Sequence, residues 1–139
     1  MNIQLGQYAG FCFGVDRAVN MVEEAAKAGG TVVTLGPIIH NHHVVDRFQR
    51  MGVEVANSPE EVRPGSTVVL RAHGVPRQVE ETLAGLPVQV VDATCPFVKR
   101  IHRLVQEAEA EGRTPVIIGT RTHPEVVGIA SWCRRGMVF

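Results

Sequence analysis

Residues 67–92, TVVLRAHGVPRQVEETLAGLPVQVVD, contain one full strand–loop–helix–strand unit, and how they read decides the fold. Thr67 to Arg71 and Val88 to Asp92 are short runs of β-branched and apolar residues, which suit a pleated surface buried on both faces. Between them, Pro76 to Leu83 sets Val79 and Leu83 one helical turn apart, on the same side of a helix. Strands joined across a helix pair in parallel, and a parallel sheet needs helices on both faces.

The same alternation continues outward. Strands are predicted at Ile3 to Tyr8, Thr31 to Leu35, Val53 to Ala56 and Thr114 to Ile118, and helices at Val15 to Ala28, Val44 to Met51, Pro96 to Glu111 and Pro124 to Arg134. Gly29-Gly30, Gly52 and Gly112 stand where helices end, and Pro96 and Pro124 where a first-turn proline belongs. Asn57 to Ser66, NSPEEVRPGS, reads as a loop with one helical turn. The expected fold is α/β, three-layer, built of mostly parallel sheet lobes. Residues 1–13 are read as an N-terminal strand and loop, 14–94 as a complete first lobe, and 95–139 as the start of a second, truncated lobe.

Composition narrows the function. Lys+Arg and Asp+Glu number 14 each, so the charge balance carries no footprint of a nucleic-acid or membrane-surface binder. Aromatic residues make up 5%, too few for base-stacking platforms. The N-terminus MNIQLGQYAG lacks the basic and apolar regions of a signal peptide, and no run approaches the roughly 18 apolar residues of a membrane span. Three cysteines without close pairs fit free or metal-bound thiols in a reducing compartment, as expected of a cytoplasmic protein.

Two of those cysteines are each followed 28 positions later by a histidine: Cys12 by His40, and Cys95 by His123. Thiolate and imidazole are the side chains of soft-metal ligation and of nucleophile–base pairs, so a repeated Cys-to-His unit points to chemistry built by duplication. Cys12, His40, His73, Cys95 and His123 all fall a few residues after a predicted strand, on the edge where parallel sheets bind ligands. The glycines around them, in AGFCFG, HG and GP, let the backbone approach a ligand or turn its N–H groups toward an anion.

A cysteine is often just a small core residue. Cys12 and Cys95, however, begin predicted helices, whose N-termini favour negative charge and so the metal-ligating thiolate. Cys133, late in the apolar stretch IASWC, is read as core. His42 and His43 are read as polar residues entering a helix, and His102, mid-helix, as a solvated or capping side chain. Three histidines in one crevice, His40, His73 and His123, suit a dianionic substrate such as a diphosphate. The alternative is three independent loop histidines satisfied locally. Glu125 is the general-acid candidate by its closeness to His123, although an acid in a first helical turn is also stabilised by the dipole alone.

The segments GFCFGVDRAV, HNHHVVDRF, AHGVP, VDATCPFV and THPEVVG, in that order from Met1 to about Ala130, resemble the N-terminal part of the 4-hydroxy-3-methylbut-2-enyl diphosphate reductase family. The resemblance implies an iron–sulfur oxidoreductase of the non-mevalonate isoprenoid pathway, with three similar α/β lobes around a [4Fe-4S] cluster held by three cysteines. It implies Cys12 and Cys95 as two of those ligands, His40, His73 and His123 as contacts to substrate, chiefly its diphosphate, and Glu125 as proton relay. The implied reaction is reductive dehydroxylation of the allylic diphosphate to isopentenyl and dimethylallyl diphosphate, with ferredoxin or flavodoxin as electron donor. A third cysteine and a further C-terminal lobe are implied but have no counterpart among these residues. The chain is therefore expected to have little or no activity alone. Two other readings stay open: a zinc or mononuclear-iron hydrolase using the same side chains, and a non-catalytic anion-binding α/β module.

Overall fold

The computed structural model describes residues 1–139. Its helices are α1 Phe13–Ala28, α2 His42–Arg50, α3 Arg77–Ala84, α4 Pro96–Ala110 and α5 Pro124–Ser131. Its strands are β1 Val32–Leu35, β2 Glu54–Ala56, β3 Thr67–Leu70, β4 Gln89–Asp92, β5 Val116–Ile117 and β6 Met137–Val138. One 3-10 turn, Pro59–Glu61, lies in the loop where a single helical turn is expected.

β1 to β4 form one parallel sheet in the order β2-β1-β3-β4, with Val33 opposite Val68 and Val68 opposite Val90. Alternation along the strands splits the core in two. Val32 and Val69 pack with Ala18, Val19 and Val22 of α1 and with Val44 and Phe48 of α2. On the other face Val33, Leu35, Val68 and Leu70 meet Leu83 of α3 and Val62 after the 3-10 turn. The result is the expected helix–sheet–helix sandwich. Each fully buried valine or leucine contributes roughly 1.5–3 kcal/mol relative to exposure. Local chemistry supports the pattern: Asn41 caps α2 by accepting a hydrogen bond from the Val44 amide at 3.3 Å.

α4 leads away from β4 to a smaller unit in which β5 pairs in parallel with β6. Val105 of α4, Ile117 of β5 and Ile129 of α5 form its core, with Cys133 half-buried beside them. Burial pushes the Cys133 thiol up, as suits a core cysteine. No helix is long and apolar enough to cross a membrane.

Several expectations are corrected. Ile3 to Tyr8 forms no strand: the segment holds one turn, Ala9 N–H to Gly6 carbonyl at 3.1 Å, and its apolar side chains are exposed. A strand requires a partner, and the ladder has none beside these residues. The last helix ends at Ser131, short of Arg134. The amides of Arg134 and Arg135 both donate to the Glu109 carboxylate at 2.7 Å, turning the chain into β6, for which the sequence carried no strand signal. His102, read as solvated or capping, is 5% exposed, because its ring packs between Gly74, Gly128 and Trp132.

Candidate active site

The strands end on a common edge, and backbone hydrogen bonds stitch together the loops that leave it. The Ala72 amide donates to the Ile38 carbonyl at 3.2 Å, and the Cys95 amide to the Ala72 carbonyl at 2.9 Å. The segments carrying His40, His73 and Cys95 are thus held in one row. Ile38 and Ile39, buried in the core, anchor the first of them.

His123 reaches the same place from the second unit. Ring centroids of His40 and His73 are 4.4 Å apart, those of His40 and His123 5.8 Å, and those of His73 and His123 6.0 Å. His40 and His123 are exposed, and His73 is half-buried beneath them with Nδ1 lacking a hydrogen-bond partner. His42 and His43, expected to be helix-entry residues, begin α2 with their ring centroids 3.9 Å apart and their planes tilted by 43°, and take no part.

Electrostatics favour an anion in this cradle. Burial, then the neighbouring His40, Arg71 and His123, push the His73 imidazole down to about 4, so it is neutral near pH 7. Arg71 lies two residues before it, half-buried, its Nε donating to the Gly74 carbonyl at 3.1 Å. Its guanidinium fills the space beside Gly36, where an added Cβ would come within 2.9 Å of Nη1 and where φ is +73°. A negative ligand would offset the mutual repulsion of this group. Arg71 escaped the sequence reading, since as the last residue of a strand run it gave no sign of turning inward.

His123 is the N-cap of α5, and its Nδ1 accepts a hydrogen bond from the Glu125 amide at 3.3 Å. That bond leaves Nε2 as the protonated, donating nitrogen of the neutral ring. Glu125 lies in the same first turn, half-buried.

The cysteines also head helices. Cys12 is the exposed N-cap of α1 and Cys95 the half-buried N-cap of α4, and neither side chain caps its own helix. A Cβ on Gly14 would lie 2.5 Å from the Cys95 Sγ, so the first turn of α1 touches that thiol directly. Glycine was expected here to let the backbone approach a ligand; what it admits is the second cysteine. Asp92, just upstream, accepts from the Thr94 amide at 2.9 Å and pairs with Lys99. Burial opposes its ionisation, but these bonds prevail and hold the carboxyl below its usual range. Arg17 of α1 donates to the Asp92 and Thr94 carbonyls at 3.4 and 3.3 Å, fastening α1 to the Cys95 loop. No three His, Cys, Asp or Glu side chains converge to hold a metal ion by themselves.

Comparison with known proteins gives this arrangement a family. The LytB protein family matches residues 3–139. The chain belongs to the LytB family. Curated LytB relatives include the 4-hydroxy-3-methylbut-2-enyl diphosphate reductase of Aquifex aeolicus (strain VF5), 44% identical over 135 residues, which are 96% of this chain and 46% of that protein. The reductase of the same name from Clostridioides difficile (strain 630) is 37% identical over 140 residues, 100% of this chain and 50% of that protein. A solved structure of (E)-4-hydroxy-3-methyl-but-2-enyl diphosphate reductase superposes with a TM-score of 0.85 at 44% identity, covering 98% of this chain and 50% of that one. The Plasmodium falciparum E-1-hydroxy-2-methyl-but-2-enyl-4-diphosphate reductase gives 0.92 at 29% identity, covering 96% and 42%. The chain spans about half the length of the LytB relatives it matches.

Proposed function

We propose that this chain carries the diphosphate cradle and two of the cluster thiolates of a 4-hydroxy-3-methylbut-2-enyl diphosphate reductase. The observation that carries this is the convergence of His40, His73 and His123, from three separate loops, beside the half-buried guanidinium of Arg71. Clustered imidazoles next to a fixed cation, with His73 held neutral and able to take up a proton as an anion arrives, match a diphosphate. The family names of the relatives supply the same substrate class.

The thiols support an iron–sulfur cofactor in part. Cys12 and Cys95 are free, head two helices of which the first is fastened by Arg17 to the loop before the second, and are linked through the contact of Cys95 with Gly14. They would supply two of the thiolates a [4Fe-4S] cluster needs, the remainder coming from outside these residues. When bound, the cluster supplies electrons and a Lewis-acidic iron for the substrate hydroxyl.

The chain's own residues then hold and protonate. The overall change is loss of the allylic hydroxyl as water, with two electrons and two protons taken up, giving isopentenyl or dimethylallyl diphosphate. His40, His73 and His123 fix the diphosphate, so that the reacting carbon is placed by its anchored end. Glu125, in the turn headed by His123, is the proton relay. Ferredoxin or flavodoxin is the electron donor in this proposal, and the cytoplasm the compartment.

A plain anion-binding module would use the same histidines without the thiols, and one experiment separates the two. The 139-residue chain is purified anaerobically, reconstituted with iron and sulfide, and titrated calorimetrically with inorganic diphosphate. Diphosphate binding that His73→Ala weakens, with iron and sulfide uptake that Cys12→Ser or Cys95→Ser abolishes, supports the reductase. Diphosphate binding with no thiol-dependent iron leaves the anion-binding module, and no diphosphate binding refutes both.

A further inference from the structure

We propose that His102 is a positioning residue: its buried ring sets the helix headed by Cys95 against the two segments that carry His73 and His123. This rests on the assignment of those residues to the reductase site.

His102 lies two turns along α4 from Cys95, with 5% of its surface exposed. Its ring touches backbone where glycine removes any intervening side chain. A Cβ on Gly74, the residue after His73, would lie 3.0 Å from His102 Cε1, and one on Gly128 of α5 would lie 3.7 Å from its Nε2. The same point on Gly128 is 3.8 Å from the His73 carbonyl oxygen, so α5, the His73 loop and the His102 ring meet there. Behind the ring, Trp132 stacks at 5.4 Å between centroids and 22° between planes. Displacing His102 therefore acts directly on the backbone next to His73, and through α5 on His123 at its N-terminus.

The choice of residue type needs an explanation. His102 Nε2 is buried without a hydrogen-bond partner, and leaving such a group unpaired costs about 1–3 kcal/mol. An aliphatic side chain would fill space without that cost, but it is not flat. A planar ring fits the slot between Gly74, Gly128 and Trp132, where interiors transmit small displacements instead of absorbing them. Burial shifts the ring toward its neutral form, which suits its place between the two units.

The test uses the 139-residue chain and two readouts: affinity for inorganic diphosphate, and the alkylation rate of Cys95 relative to Cys12 followed by mass spectrometry. His102→Ala is expected to weaken diphosphate about tenfold, the weight of about one charge-assisted hydrogen bond lost from a displaced cradle. It is also expected to raise the Cys95-to-Cys12 ratio. Val105→Ala, a buried change on the same helix away from the glycines, is expected to lower the melting temperature comparably and move neither readout. His102→Gln, with a flat amide, recovers most of both. A folded His102→Ala protein with both readouts unchanged, or a Val105→Ala protein that moves them equally, overturns the proposal. If His102→Ala does not fold, His102→Gln is compared with Val105→Ala on the same terms, a small shift in both readouts supporting the proposal and none refuting it. Should the wild-type chain not bind diphosphate, the cradle assignment fails, and the thiol ratio alone decides the role of His102.

Discussion

The ring of His40 stands 4.4 Å from the ring of His73, on loops that leave two neighbouring, paired strands. Two imidazoles that close resist being charged together, and the half-buried one yields. Burial, with His40, Arg71 and His123 nearby, takes His73 down to about 4. A depressed histidine favours the folded state when neutral, so this contribution is complete above the unfolded value of about 6.5 and is lost as pH falls toward 4. Urea unfolding between pH 7 and 4 is expected to show that decline, and His73→Phe to flatten it. A histidine NMR titration placing His73 near its ordinary value would contradict the geometry.

Binding of an anion should act in the opposite sense on the same group. Inorganic diphosphate stabilises the charged imidazole, so it raises the His73 value, and by linkage its own affinity increases as pH drops from 7 toward 5. Proton uptake on binding, measured by calorimetry in buffers of different ionisation heat, is the direct check. Replacing His40, His73 or His123 singly by Ala is expected to weaken diphosphate by roughly tenfold or more, the weight of a charge-assisted hydrogen bond.

Gly14→Ala tests the cysteine arrangement without touching a thiol. The new methyl would lie 2.5 Å from the Cys95 Sγ and 3.0 Å from its Cβ, so one helix must give way. Overpacking of this kind costs about 1–3 kcal/mol, visible as a lower melting temperature. Iron uptake on reconstitution is expected to fall more than stability does. Full uptake in a folded variant would show that the contact does not matter to the thiol site.

Leu70→Ala probes the scaffold under the cradle. Leu70 is 2% exposed on a central strand and ends just before Arg71 and His73. Its truncation is expected to cost about 2–5 kcal/mol by urea denaturation, a large share of a small domain's stability.

Much of this was open to inspection in the sequence. Thr67 to Asp92 announced its strand–helix–strand order because β-branched runs and helical spacing are local properties. Cys12, Cys95 and His123 could be placed at helix starts for the same reason, since caps and first-turn prolines are local signals. Ile3 to Tyr8 misled because its alternating apolar residues say only what a strand looks like, whereas a strand exists only with a partner. β6 went unseen for the converse reason: Met137 and Val138 become a strand because Glu109, distant in the chain, turns Arg134 and Arg135 toward β5.

The sequence by itself determined the α/β layering and the loops that bear the reactive side chains, through periodicity and capping that act within a turn or a strand. Only the tertiary structure decided which of those side chains meet. It drew His123 to His40 and His73, packed the Cys95 thiol on Gly14, turned Arg71 inward beside Gly36 and buried His102 between two glycines. Each is a contact between distant segments, fixed by how helices and loops pack on the sheet, and no local preference of the residues involved encodes it.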